Sequence, residues 1–526
     1  MMDRRRLAAV VVIILAVAAV YLTRLNTVVG QFVDDAWYVL LARTLAEGRG
    51  FLAVSAAVTP ILPNYPPGFP AILSLVFYVM PDFPANVYLL KLISVAAIAG
   101  VGILTYDLGR RRELPNHLAL LVALVTVVTP GFVFLATSTV MSECVFTLCQ
   151  LATVVAVFRA TDDRSERSQL YWVLAAAALA TLTILIRTAA VSLVLAAVIA
   201  LVQGRRWRRG ALFIAGMLVC VSPWLLYARA HKPTDEARHD QAGTIAYSYV
   251  EQFWMRYAGF AGSGYITPAE LPGRIGANTY GLVGRDFGAM VAPVLFRGPG
   301  QSGGEVLGLG STGKLHTGMG DSAITVVVSL ILSAVALIGF IATIRRRVTV
   351  VEWLVPTALA VIAVWPWWTF RFVLPLAPFL LLYLVAGVRA LSPMADPWRA
   401  ARMLMLCVLG LNAFDHAQYL LRVRHDGLSS IEWINEAREV EDTLDWMNAH
   451  VTGEGAVATT NPPLVFLRTN RRTLAMENMR GDWQKWKAQG VRYVVCLAAA
   501  QLPQASVVSY KLLYESPVRK FWIIEL

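Results

Sequence analysis

Apolar residues run along this chain in long unbroken stretches, without the one-sided spacing of a water-soluble fold. Eleven such runs lie near 7–23, 87–106, 118–136, 140–158, 170–186, 188–203, 211–227, 322–344, 350–364, 372–388 and 403–420. A membrane span needs about 20 mostly apolar residues, so the pattern predicts an α-helical polytopic membrane protein of about eleven transmembrane helices. Two long segments without a spanning run, 24–86 and 228–321, interrupt the runs. Beyond 421 the pattern changes to a charged helix over 432–448, a strand over 456–460, short helices near 463–468 and 482–489, a strand over 491–495 and a closing strand pair within 507–526. Alternation of this kind predicts a small soluble α/β domain at 422–526, following a transmembrane domain at 1–421.

Composition agrees. The chain has 526 residues, 57% of them apolar and 15% charged, against roughly 25% charged in an ordinary soluble protein. Its formal charge of +12 raises the question of nucleic acid, and the distribution of arginine answers it. With a cytoplasmic N-terminus, the clusters Arg4–Arg6, Arg110–Arg112, Arg159/Arg164/Arg167, Arg205/Arg206/Arg208/Arg209, Arg345–Arg347 and Arg389/Arg399/Arg402 all fall inside. The excess charge is therefore topological, and no nucleic-acid partner is expected. The weakest point is Arg187: fusing 170–203 into one kinked span would turn the Arg205 and Arg345 clusters outward, so the two runs are kept apart. Ala16-Val17-Ala18 resembles a signal-cleavage triplet but lies inside the first apolar run, which predicts an uncleaved helix. The five cysteines include no CxxC pair, and the seven histidines form no HExxH or other tight ligand pattern, so metal use is left open.

On this topology both long intervening segments and the tail face outside. In the first, the spacing from Gln31 to Glu47 suits a helix ending at Gly48 or Gly50, with Asp34 as its N-cap and Asp35 at its positive end. An acidic pair about ten residues beyond a span is also placed to meet a lipid head group. Downstream, Asn64-Tyr65-Pro66-Pro67-Gly68-Phe69-Pro70 reads as a rigid turn with Pro70 near the first position of a helix. The ten apolar residues 71–80 are too few to span, and Tyr65 is a candidate site-lining residue. Glu143, at the start of the fourth span, needs a partner or a task. Arg371 follows the interfacial cluster Trp365-Pro366-Trp367-Trp368, where a planar fork of donors suits phosphate oxygens or any anionic lipid. Lys91 and Arg187 are further candidate cations near the outer face. Between 298 and 320, nine of 23 residues are glycine, which fits a flexible linker or a lid over a bound donor.

These residues resemble a known family, the GT-C superfamily of membrane glycosyltransferases that use polyprenyl-phosphate sugars. Its relatives include the protein O-mannosyltransferases and the transferases that add aminoarabinose to lipid A. The resemblance rests on Asp34-Asp35-Ala36-Trp37-Tyr38 running to Ala46-Glu47-Gly48, on Tyr65-Pro66-Pro67-Gly68-Phe69-Pro70, on Met141-Ser142-Glu143, and on Arg371-Phe372-Val373-Leu374-Pro375-Leu376-Ala377-Pro378. In order, they cover most of residues 1–390. The resemblance implies a GT-C-like fold, with Asp34 as catalytic base, Asp35 beside it where the family usually has Glu, and Arg371 on the donor phosphate. The turn lacks the lysine of the aminoarabinose branch, which makes that branch the poorer match.

The chemistry can also be stated from first principles. A sugar phosphate already carries a leaving group, so an enzyme must deprotonate an acceptor hydroxyl, hold it in line behind C1 and offset charge on the phosphate. A single displacement inverts the anomeric carbon. The expected function is transfer of a monosaccharide from a polyprenyl-phosphate donor to a lipid, polysaccharide or protein hydroxyl at the outer face of the cytoplasmic membrane, and its narrower form is a bacterial protein O-mannosyltransferase. The rival from another class is a lipid or sugar transporter or flippase, which would want mid-span acids and an internal repeat; the sequence shows no repeat.

Overall fold

The computed structural model describes residues 4–30, 32–55, 65–162, 165–203, 207–231, 248–257, 263–296, 323–394, 396–476, 483–498, 502–503 and 508–526. The glycine-rich stretch 298–320 lies outside the described residues. In its first half the chain forms α1 (Arg4–Tyr21), α2 (Asp34–Ala46), α3 (Gly68–Val79), α4 (Val87–Arg111), α5 (Asn116–Val128), α6 (Pro130–Thr137), α7 (Glu143–Asp162), α8 (Glu166–Ile186), α9 (Val191–Val202) and α10 (Trp207–Ala230). Long helices follow at Ala323–Ile344, Val350–Val364, Thr369–Leu391 and Arg399–Asp426.

All eleven apolar runs are helical, but among the described residues seven helices are long and apolar enough to cross a membrane, eight if one bent pair counts as a span. The other predicted spans deviate for identifiable reasons. Three of the 18 residues of α1 are arginines. The run 118–136 is broken into α5 and α6 with a 47° bend, because Thr129 precedes Pro130 and is driven out of the helical region, at ψ 119°. Thr188–Val202 and Val350–Val364 are apolar but short. The chain breaks at Arg187: α8 ends at Ile186 and Arg187 is extended, at φ −149° and ψ 128°.

The helices Ala323–Ile344 and Thr369–Leu391 cross at two glycines. A Cβ on Gly339 would stand 1.8 Å from the Tyr383 carbonyl oxygen, and one on Gly387 would stand 1.9 Å from that of Val335. Small residues at a helix crossing let the backbones touch, which drives association where lipid removes the hydrophobic incentive.

The last helix runs on to Asp426, then the chain enters the predicted α/β unit. Helix Glu432–His450 leads to β1 (Ala456–Thr459), helix Pro462–Thr469, β2 (Thr473–Ala475), helix Trp483–Ala488, β3 (Val491–Cys496), β4 (Lys511–Glu515) and β5 (Trp522–Glu525). The sheet order is β2-β1-β3-β5-β4. β1 is parallel to both neighbours, while β5 is antiparallel to β3 and β4. β2, three residues long behind two arginines, carries no alternating signal and was not predicted. The unit does not float free, since helix Pro462–Thr469 packs on α2.

Candidate functional site

The site is built on the turn between α1 and α2. The Asn26 side-chain carbonyl accepts from the Val28 amide at 3.1 Å and tightens the chain as it leaves α1. Lys91, fully buried on α4, donates to the Asn26 carbonyl (2.8 Å), its side-chain oxygen (3.0 Å) and the Thr137 carbonyl (3.0 Å). Its three protons are thus taken by the turn and by the end of α6. The structure does not bring Lys91 to the cavity described below, against the sequence expectation.

The acidic pair divides its work differently from the expected arrangement. Asp35, not Asp34, secures the start of α2: its Oδ2 accepts from the Gly30 amide at 2.8 Å and its Oδ1 from the Phe32 amide at 3.2 Å. The chain enters the helix through Val33 at φ 61°, with no side-chain cap. Left-handed geometry is costly for a β-branched residue and persists where its surroundings enforce it. Asp35 is wholly buried, and that burial pushes its carboxyl up to about 6, against the lowering pull of the two amides. Pro70 stands in the first turn of α3, two residues after its start at Gly68, as the turn predicts.

Asp34 is left free to face the cavity. Tyr65 donates its hydroxyl to Asp34 Oδ1 at 2.6 Å. Arg371 brings both terminal nitrogens to 3.3 Å from Asp34 Oδ2. Burial and the neighbouring carboxylate hold the Tyr65 phenol far above its ordinary range, so it stays protonated and a donor. Tyr38, one turn along α2 from Asp34, packs edge-on against Tyr65 with ring centroids 5.1 Å apart. Its hydroxyl lies 3.3 Å from Ser142 Oγ.

Behind these groups lies Glu143, fully buried at the start of α7. Its Oε1 is 2.9 Å from Arg187 Nη1 and 3.1 Å from Arg371 Nε. Neither oxygen has an aligned hydrogen-bond donor, so the contacts are charge pairings. Arg187 also donates to Ser142 Oγ at 3.0 Å. Two guanidinium groups therefore alternate with two carboxylates, and the cluster is neutral by formal count. Glu143 holds both cations from the rear, while Arg187 and Arg371 both reach the cavity wall.

That cavity has a volume of about 350 Å³, in the range of small-molecule sites. Asp34, Tyr65, Arg187 and Arg371 supply its charged and polar wall, with Gln150, Thr188, Ser192 and Gln252; aromatic rings from Tyr38, Phe146, Tyr249, Trp365, Trp367 and Phe372 line the rest together with aliphatic side chains such as Ile186, Val361 and Leu376. Of the residues singled out from sequence, the structure brings Asp34, Tyr65, Arg187 and Arg371 to the cavity, with Glu143 behind them, and leaves Asp35 and Lys91 bonded to the turn. Sequence reasoning passed over Tyr38, although its four-residue spacing from Asp34 puts both on one helix face. Gln150 stands seven residues beyond Glu143 and carried the same kind of signal. Tyr249 and Gln252, on the short helix Tyr249–Trp254, carried none. No group of three or more His, Cys, Asp or Glu that could hold a metal ion is present among the described residues.

Residues 64–227 match the family described as Dolichyl-phosphate-mannose-protein mannosyltransferase, a stretch that includes Tyr65, Lys91, Glu143 and Arg187 and leaves out Asp34 and Arg371. No curated protein matches the chain. Among solved structures, the chain is similar to ArnT from Cupriavidus metallidurans bound to undecaprenyl phosphate, at 13% identity and a TM-score of 0.48 over 99% of this chain and 97% of that one. It is also similar to the Archaeoglobus fulgidus oligosaccharyltransferase, at 13% identity and a TM-score of 0.45 over 93% and 67%. The mycobacterial arabinofuranosyltransferase AftD aligns at 12% identity and a TM-score of 0.47 over 100% and 42%. The family match takes in about a third of the chain, residues 64–227, and falls on the segment that carries Tyr65-Pro66-Pro67-Gly68-Phe69-Pro70 and Met141-Ser142-Glu143.

Proposed function

We propose that this protein transfers a monosaccharide from a polyprenyl-phosphate donor to an acceptor hydroxyl, with inversion at the anomeric carbon. The observation that carries the reading is the placing of Asp34 and Arg371 side by side on the wall of one cavity. In the reaction, the acceptor hydroxyl gives its proton to Asp34 as its oxygen bonds to C1, and the C1–O bond to phosphate breaks with its electron pair leaving on the phosphate. Arg371 and Arg187 offset that charge. Tyr65 keeps the Asp34 carboxylate aimed at the cavity, and Glu143 keeps the two cations together.

The site is assigned to the outer face of the cytoplasmic membrane, a reading supported by six arginine clusters that agree on one orientation. The C-terminal unit from 422 onward then lies outside as well, beside the turn that carries Asp34. Mannose as sugar and protein as acceptor form the narrower version of the reading, favoured by the description of the matching family.

The test is transfer by Asp34→Asn. A carboxamide of the same shape cannot take the proton, so transfer should fall by about 10²–10⁴-fold while donor binding persists. Transfer at the wild-type rate would remove Asp34 from the mechanism.

A further inference from the structure

The α/β unit touches the Asp34 turn directly. Asn461, at the start of helix Pro462–Thr469, donates its side-chain amide to the Gly30 carbonyl at 3.0 Å. The other face of that residue is also taken, since the Gly30 amide donates to Asp35. Gly30 is thus held from both sides, by the α/β unit through its oxygen and by α2 through its nitrogen. Its φ of +97° and its closeness to Leu464, whose Cδ2 would lie 2.6 Å from a Cβ there, leave room for glycine alone without rearrangement.

Two further contacts run the same way. The Thr473 amide on β2 donates to the Ser55 carbonyl at 2.7 Å, tying down the chain beyond α2. Trp433 meets Phe134 edge-on with centroids 5.2 Å apart, and Phe134 meets Phe32 at 6.2 Å. Phe32 in turn lies beneath Arg371, whose guanidinium carbon is 5.4 Å from its ring centre. An unbroken line of contacts therefore joins the C-terminal unit to both members of the Asp34–Arg371 pair.

We propose that Asn461 is a positioning residue for the transfer reaction: from the C-terminal unit it clamps the Gly30 peptide and so fixes the turn that presents Asp34 to the cavity. This rests on the reading of Asp34 as the base. Loosening the turn lets Val33 leave its strained conformation, and the Asp34 carboxylate then swings with the start of α2. A misplacement of about 1 Å at a reacting group costs roughly 100-fold in rate. The C-terminal unit is on this account part of the catalytic site, reaching it without touching substrate.

Asn461 also caps its own helix, its side-chain oxygen accepting from the Leu464 amide at 3.4 Å. Asn461→Ser separates the two roles, because serine caps as well as asparagine but is too short to reach Gly30. The full-length variant is measured beside wild type and Asp34→Asn for kcat, donor KM, thermal midpoint and hydrogen exchange over 28–37 and 462–469. The clamp predicts a kcat at least ten-fold lower, a donor KM within two-fold of wild type, and faster exchange over 28–37 with 462–469 unchanged. An unchanged kcat overturns it. So does a lowered kcat accompanied by equal loss of protection in both segments and a lower midpoint, which is the signature of a folding defect. Full transfer by Asp34→Asn would sink the underlying reading of the base, and since it is seen in a different variant, the two failures are told apart.

Discussion

Asp34 and Arg371 lie 337 positions apart in the chain, yet each terminal nitrogen of the arginine stands 3.3 Å from one oxygen of the carboxylate. The bonds are long for a charge-assisted pair, which normally closes to about 2.7–2.9 Å. Arg371 is shared with Glu143, which its Nε approaches at 3.1 Å. On the proposed function, a phosphate offered to the guanidinium competes with the contact that lies on the cavity wall, the one to Asp34. On the same reading, donor binding would leave the carboxylate held by Tyr65 and freer to accept a proton.

Tyr65→Phe removes the hydroxyl that orients Asp34 and keeps the ring that packs on Tyr38. A hydrogen bond to a charged group contributes about 1.5–3 kcal/mol. The expected result is a kcat roughly 10-fold to 100-fold lower with an unchanged thermal midpoint, read from initial rates and unfolding of the same preparation.

The pH dependence follows from Asp35. Its carboxyl titrates near 6 in the folded chain, raised first by burial and also by Asp34, and lowered by the amides of Gly30 and Phe32 and by Lys91. A raised folded value means that its contribution to stability is fully present below about 4 and is lost as pH rises through about 6. Activity runs the other way, since protonation near 6 removes an acceptor from the turn. Acidification from pH 7 to 5 should therefore slow transfer, and Asp35→Asn should flatten the difference in stability across that window. A rate that stays level from pH 7 to 5 would show that the ionised Asp35 is not needed.

Glu143→Gln takes the carboxylate from Arg187 and leaves Arg371 paired with Asp34. Breaking a buried pair by removing one partner costs about 3–5 kcal/mol. The expected outcome is a marked drop in thermal midpoint in detergent, together with weaker donor binding as Arg187 and Arg371 separate. A midpoint equal to that of wild type would show that Glu143 does not hold the cluster.

Much of this arrangement was legible in the order of residues. Long apolar runs marked the long helices of the membrane part but not the helix Tyr249–Trp254, and the break at Arg187 followed from charge alone. The bend at Thr129 was written in the following proline and was passed over because the apolar run continues across it. Asp34, Tyr65, Glu143 and Arg371 stood out because charge or a rigid turn sits beside a span. The division of labour between Asp34 and Asp35 was not legible, because it depends on which carboxylate the Gly30 and Phe32 amides reach. Lys91 was misplaced for the same reason: its apparent freedom is consumed by carbonyl groups, which leave no trace in side-chain identity. Nor could sequence bring Asn461 to Gly30, a contact across 431 positions between a helix start and a turn.

The most direct test of the account is native mass spectrometry of the gently solubilised protein, wild type beside Asp34→Asn and Arg371→Ala. The account predicts a co-purified polyprenyl phosphate or its glycosyl form on wild type and on Asp34→Asn, and its loss from Arg371→Ala. Retention of that lipid by Arg371→Ala, or bulk phospholipid alone on all three, would contradict the assignment of Arg371 to the donor phosphate.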